Sequence, residues 1–352
     1  MEQKSPLQYT SASIAPSKRP GGLAAERPLR PLRPLTHLLA GASGGLATAV
    51  LTSPLDVLRT RLQSDLYRPP RLARITYSGP PSIFPRLFRV SLCHISETIH
   101  IFNSIHKTEG WRGFYRGLGP SLAGVVPATA IKFYVYGNCK RLGAHVLHYK
   151  EDAVIVHTQA AIAAGLATAT ATNPIWLIKT RLQLDDRGIT TRRYKNSWDC
   201  ARQVLGQEGI RGMFRGLSAS YLGTVETALH LVLYEQLKVV YNRSLRRVNA
   251  PANSAWNEVA TWISTSGAAG SAKLTAVLIA YPHEVVRTRL RQAPLENGTP
   301  RYTGLWQCFR SIGKHEGMAG LYGGLTPHVV RSVPSAIITL GVYEFVLRFM
   351  GS

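Results

Sequence analysis

Two weakly polar stretches, Pro34 to Leu55 and Ala153 to Ile178, run without a single Lys, Arg, Asp or Glu. Each is long enough to cross a hydrocarbon core of about 30 Å as a helix. Further apolar helices are predicted over Leu118 to Lys140, Leu217 to Lys238, Trp262 to Tyr281 and Leu325 to Arg348, and each carries a charge partway along: Lys132, Glu226, Lys273 and Arg331. The pattern predicts six spans, with a short amphipathic helix in the loop inside each pair.

The six spans fall into three repeats. Pro54-Leu-Asp56-Val-Leu-Arg59-Thr-Arg61, Pro174-Ile-Trp176-Leu-Ile-Lys179-Thr-Arg181 and Pro282-His-Glu284-Val-Val-Arg287-Thr-Arg289 each close an odd-numbered span. A second phrase follows each: Glu109-Gly110 to Tyr115-Arg116-Gly117, Glu208-Gly209 to Phe214-Arg215-Gly216, and Glu316-Gly317 to Tyr322-Gly323-Gly324. Linked phrases recurring in order mark an internal repeat whose units bury one shared interior. The expected units are residues 36–145, 153–248 and 256–352, forming one domain. Gly110, Gly209 and Gly317 stand where a left-handed cap ends a helix.

Spacing locates an insertion. Pro174 to Glu208 and Pro282 to Glu316 are both 34 residues apart, whereas Pro54 to Glu109 is 55. Most of the surplus falls at about 66–91, where five prolines (Pro69, Pro70, Pro80, Pro81 and Pro85) argue for a surface loop. Residues 1–35 are proline-rich, basic and poor in apolar residues, the composition of a disordered tail. Glu2, Glu26 and the prolines argue against a cleaved amphipathic presequence. Glycines at Gly41, Gly44 and Gly45, and at Gly267 and Gly270, fit close helix packing in a membrane.

The net charge of +23 points either to nucleic acid or to anionic lipids and solutes. The uncharged spans decide against a soluble nucleic-acid-binding protein. A mean hydropathy of −0.03 is low for lipid-facing helices, so much of each span is expected to face protein or a polar cavity. Cys93, Cys139, Cys200 and Cys308 have neither metal nor redox spacing. No metal, cofactor or enzymatic centre is expected.

These phrases resemble the signature of the mitochondrial carrier family, Pro-x-Asp/Glu-x-x-Lys/Arg-x-Lys/Arg followed by Asp/Glu-Gly-x4-aromatic-Lys/Arg-Gly, over residues 36 to 350. The resemblance implies an all-α membrane protein of six tilted transmembrane helices in three pseudo-threefold repeats, with short matrix helices. It also implies a central solute site, alternating access across the mitochondrial inner membrane, and a monomer. Thr52 to Asp65, Asn173 to Gln183 and Tyr281 to Arg291 are most similar to the pyrimidine nucleotide carriers of that family. Carriers of NAD, FAD or folate share the Pro-Ile-Trp phrase and stay open as alternatives, as does a carrier-like scaffold that no longer transports.

The resemblance also suggests roles. Proline bends in the odd spans bring acid and base together, and by analogy Asp56 meets Lys179 and Glu284 meets Arg59 in a matrix gate. Trp176 replaces the third acid, so Arg287 is expected to stack on its ring, while Gln63 and Gln183 brace the pairs and Arg291 takes the third brace position. On the cytosolic side Glu235 and Lys238 match the family pattern fully, Lys140 has lost its acid and Glu344 its base. That gate is expected to be the weaker one, so the empty protein should open toward the cytosol. Intramembrane charges mark function by default, making Lys132, Lys273, Arg331 and Glu226 candidate solute contacts with Gly124, Val125, Gly223 and Thr224. An internal ion pair of Glu226 with Lys132 or Lys273 is the competing reading. Arg116, Gly117, Arg215 and Gly216 open even spans, where backbone N–H groups attract anions, and cardiolipin is the expected lipid.

Overall fold

The computed structural model describes residues 34–67, 83–148, 153–185, 193–247, 270–294 and 299–350. Among them, three helices are long and apolar enough to cross a membrane, and the pair over Leu38–Leu51 and Ser53–Gln63, bent by 67°, makes a fourth. The first span is α1 (Pro34–Leu51) with α2 (Ser53–Gln63), and the second is α4 (Leu118–Leu147). The third is α5 (Val154–Leu184) and the fourth α7 (Leu217–Arg247), 31 residues long but more polar. The fifth is described from Gly270, as α8 (Gly270–Ala280) and α9 (Pro282–Leu290), and the sixth is α12 (Leu325–Phe349). Between each pair lie the helices α3 (Ile83–Glu109), α6 (Ser197–Met213), α10 (Leu305–His315) and α11 (Gly317–Leu321).

The spans close into a ring. α1 packs on both α4 and α12, α4 runs along α5, α5 along α7, and α7 along α9, while α2 reaches across to α5 and α9. Missing side chains permit close contacts: a Cβ on Gly44 would meet the Thr339 carbonyl oxygen at 2.8 Å, and one on Gly45 the Val125 methyl at 2.7 Å. The Thr48 and Thr339 hydroxyls add a 2.7 Å hydrogen bond at the same seam. Among the described residues nothing lies within 4 Å of where a Gly270 side chain would be, and Gly267 lies outside the described residues.

Proline acts differently in the three odd spans. Pro54 and Pro282 start new helices after breaks at Thr52 and Tyr281, whereas α5 continues through Pro174. The residue before each proline holds the loop leading to the next span. Ser53 Oγ donates to the Phe114 carbonyl at 3.0 Å, Asn173 Nδ2 to that of Met213 at 2.8 Å, and the Tyr281 hydroxyl to that of Gly323 at 3.0 Å.

The loop helices each bury a small core: Phe114, Ile105 and Val57 in the first repeat, Cys200, Val204 and Leu177 in the second, Cys308, Ile312 and Val285 in the third. α6 starts at Asn196, whose side chain accepts from the Asp199 N–H at 2.8 Å, while Asp199 accepts from the Lys195 N–H at 2.9 Å. These reciprocal bonds satisfy donors that a helix start leaves open. Trp198 and Trp306, at matching positions in α6 and α10, are more than three-quarters exposed, as suits aromatic rings at a membrane–water interface.

Two expectations are corrected. Helix α3 already begins at Ile83, so part of the insertion placed in a loop is helical; Pro85 falls in the first turn, where a missing N–H costs nothing. Residues 68–82 of the insertion, and 1–33 of the expected tail, lie outside the described residues. Gly110 and Gly209 do have positive φ, but their ψ values of −164° and −167° are extended. The left-handed caps are instead Gly117 and Gly324, with ψ of 8° and 12°, at the starts of α4 and α12.

Candidate functional site

Where the odd spans converge, opposite charges from different repeats meet. Lys179 of α5 binds Asp56 of α2, and Arg59 of α2 binds Glu284 of α9. All four side chains are between 11% and 14% exposed. They close one end of the ring and leave above them a cavity of about 780 Å³, a volume in the range of small-molecule sites.

Asp56 is shared. Arg331, from the second turn of α12, donates from Nη1 to Asp56 at 2.6 Å and from Nε to the Thr52 hydroxyl at 3.1 Å. A cavity residue and a closing ion pair thus compete for one carboxylate. Glu284 is shared as well, for Arg287 one turn along α9 reaches its other oxygen at 3.4 Å. Five cationic side chains at the floor (Arg59, Lys179, Arg287, Arg291 and Arg331) face the carboxylates of Asp56 and Glu284, and a Glu226 oxygen lies within 4.8 Å of one of Glu284. Lys132 lines the same cavity on α4, near Tyr136, whose hydroxyl lies 2.6 Å from His157 Nδ1.

Trp176 does not receive Arg287. The cation over its ring is Lys179, 5.0 Å from the centroid, and its indole N–H donates to the Thr172 hydroxyl at 2.9 Å. Lys179 lies three residues along the same helix, on the same face, and so reaches the ring without any movement between helices. Gly124 lies behind the indole: a Cβ there would sit 3.0 Å from Ile175 and 3.5 Å from Trp176. Gly124 and Val125 therefore pack helix on helix and do not line the cavity, whereas Gly223 and Thr224 do.

Glu226 and Lys273 pair with each other at 2.8 Å between α7 and α8 and lie off the cavity lining. The reason is adjacency: neighbouring spans present opposite charges at one level, and pairing offsets the cost of an ion in the membrane. Gln63 and Gln183 bind hydroxyls of the preceding odd span around the ring and not the ion pairs, Thr288 to Gln63 Oε1 at 2.6 Å and Thr60 to Gln183 Oε1 at 2.8 Å. At the far end of the ring Glu344 is 56% exposed and reaches Arg348 on its own helix at 3.8 Å. Lys140 lies on α4 at that end. The side chains of Glu235 and Lys238 lie outside the described ones.

A set of residues not singled out by sequence completes the closed end. Arg61, Arg181 and Arg289 are almost wholly buried, and they bind Glu109, Glu208 and Glu316 of their own repeats. Each also donates from Nε to a main-chain carbonyl of the next repeat: Gln183 at 3.1 Å, Arg291 at 3.2 Å and Gln63 at 3.1 Å. Their signal was the threefold recurrence of a second base and a distant acid. Arg116 and Arg215 join two of these acids at 2.8 and 3.2 Å, so their charges turn inward and not toward a lipid headgroup.

Three segments, residues 30–146, 150–245 and 258–352, match the family model for mitochondrial carrier protein. The chain belongs to the mitochondrial carrier protein family. This carrier is 46% identical over 327 residues to the mitochondrial pyrimidine nucleotide transporter RIM2 of Saccharomyces cerevisiae, covering 91% of this chain and 87% of that one. It is 45% identical to the mitochondrial carrier protein rim2 of Schizosaccharomyces pombe, over 90% of each chain. It is also 41% identical to solute carrier family 25 member 36 of Gallus gallus, over 90% of this chain and 97% of the relative. The carrier fold accounts for the ring of spans, and its closed end is the one the proline phrases build.

Proposed function

We propose that this carrier exchanges pyrimidine nucleotides across the mitochondrial inner membrane by alternating access. The observation that carries the reading is the cationic cavity floor, in a chain so similar along its length to a named pyrimidine nucleotide transporter. Phosphate groups need fixed cations, and arginine holds them in a fork while lysine acts as a point charge. Arg331 and Lys132 are the primary contacts, with Gly223 and Thr224 giving the wall between them.

Mechanism follows from the shared carboxylate. A phosphate on Arg331 replaces Asp56 as its counter-ion, so solute binding and the matrix-side interlock are energetically linked. Binding that favours one state over the other shifts the equilibrium between them only by that difference. Lys140, Glu235, Lys238 and Glu344 form the weaker cytosolic gate, so the unloaded carrier rests open toward the cytosol. Cardiolipin binds at the starts of α4 and α7 through backbone N–H groups at Gly117 and Gly216, and the carrier works as a monomer. Residues 36–145, 153–248 and 256–352 act as the three units of one transport domain.

Thermal stabilisation of the purified carrier tests the assignment. UTP and CTP should raise the unfolding temperature more than ATP, NAD or folate at equal concentration. Greater stabilisation by NAD or folate would move the substrate class and keep the site.

A further inference from the structure

We propose that Arg291, acting with Arg287 one turn before it on α9, is a phosphate-binding element that makes this carrier favour polyphosphates over monophosphates. The inference rests on the nucleotide reading above and deepens it. In the first two repeats the corresponding residues are Gln63 and Gln183, whose carbonyl oxygens accept a threonine hydroxyl from a neighbouring span. Arginine cannot accept. The matching hydroxyl, on Thr180, faces the Trp176 carbonyl of its own helix at 2.8 Å, as Thr60 faces that of Asp56 at 2.9 Å, but it has no glutamine across the seam. The third seam thus lacks the glutamine–threonine link of the other two, and Arg291 itself reaches across it to Asn173 of α5.

A guanidinium stands there in its place, and it is short of acceptors. Arg291 is 7% exposed. Nη2 donates to Asn173 Oδ1 at 2.7 Å and to Ser220 Oγ at 3.0 Å, both neutral, while Nε is buried without a hydrogen-bond partner. Among the described residues no carboxylate pairs with it. Burying a cation without a counter-charge is unfavourable, and a glutamine at this position would avoid the cost.

The surroundings make the vacancy of charge specific. Trp176 stands where the acid facing this seam would be, and it holds Lys179. Arg287 reaches Glu284 at 3.4 Å, but that acid also serves Arg59, and Glu226 beside it is paired with Lys273. Both arginines line the cavity floor together with Arg331, and residues four apart on a helix share a face. Two guanidinium forks on one face match a chain of phosphates, each fork able to take two oxygens. A triphosphate offers more anionic oxygens to share among Arg331, Arg287 and Arg291 than a monophosphate does.

The test compares wild type, Arg291→Gln and Arg291→Lys in liposomes, measuring inhibition of labelled nucleotide uptake by the UTP, UDP, UMP series and by ATP, ADP, AMP. Arg291→Gln restores the residue of the other repeats. It should raise the half-inhibitory concentration of UTP on the order of tenfold and that of UMP far less, with Arg291→Lys between. Equal changes for all three phosphate lengths, or none, overturn the inference and leave Arg291 a brace. A wild type preferring adenine nucleotides, with Arg291 still setting the phosphate-length order, retracts the pyrimidine assignment and keeps this one. Inorganic tripolyphosphate supplies a base-free probe where uptake is lost: its thermal stabilisation of wild type should fall in Arg291→Lys and Arg291→Gln, and an undiminished shift overturns the proposal.

Discussion

Arg289 donates from Nε to the main-chain carbonyl of Gln63 at 3.1 Å, joining the last repeat to the first. The same bond runs from Arg61 to Gln183 and from Arg181 to Arg291. Each guanidinium is fixed by a glutamate of its own repeat and reaches forward to the next, so the closed end is a ring of three arginines. Carbonyl acceptors suit this task because they are present whatever side chain the position carries, including Arg291.

The ring should set stability. Glu208→Gln leaves Arg181 buried at 2% exposure with its strongest partner gone, a kind of change that costs about 3–5 kcal/mol. Unfolding of the detergent-purified carrier should show a loss of that size, with Arg181→Gln plus Glu208→Gln losing less than the two single changes combined. A loss near that of an exposed ion pair, ~0–1 kcal/mol, would contradict the assignment.

Asp56 and Lys179 should not behave as equals. Removing Lys179 leaves Asp56 with Arg331, whereas removing Asp56 strands both Lys179 and Arg331. Asp56→Asn is therefore expected to impair exchange and lower stability more than Lys179→Met does. Equal effects in both measurements would mean that Arg331 does not share the carboxylate.

Much of this was legible in the sequence, for definite reasons. The proline phrases show that acids and bases converge, and the resemblance to the carrier family supplied the pairing of Asp56 with Lys179 and of Glu284 with Arg59. The partner of Trp176 was within reach of the sequence but was passed over: Lys179, three residues along the same helix, shares its face and takes the ring, whereas the choice of Arg287 needed the rotation of one helix against another. Glu226 and Lys273 stayed open between solute contacts and an ion pair, because spacing does not give the rotation of one span against the next, and the adjacent spans place them together. Arg61, Arg181 and Arg289 were visible as a recurrence, but nothing in a linear pattern tells a buried tether from a charge facing solute.

Thiol chemistry should separate the cysteines. Burial pushes the Cys200 and Cys308 thiols, both on helices outside the spans, up to about 12, so almost none is thiolate at pH 8. Cys139 is only partly buried. Maleimide treatment of the folded carrier at pH 8 followed by mass spectrometry should label Cys139 well before Cys200 or Cys308, and raising the pH to 9 should barely change the latter two. Prompt labelling of Cys200 would show that α6 does not stay packed.

The central claim is that the cavity above the Asp56 and Glu284 pairs carries pyrimidine nucleotides through Arg331. Its most direct test is uptake of labelled UTP into liposomes holding the purified carrier and preloaded with UMP, CTP, ATP, NAD, folate or buffer alone. Uptake should be fastest against the pyrimidine nucleotides, and Arg331→Ala should slow it on the order of a hundredfold, as expected for loss of a charge-assisted fork. Equal uptake against NAD or folate, or an unimpaired Arg331→Ala, would contradict it.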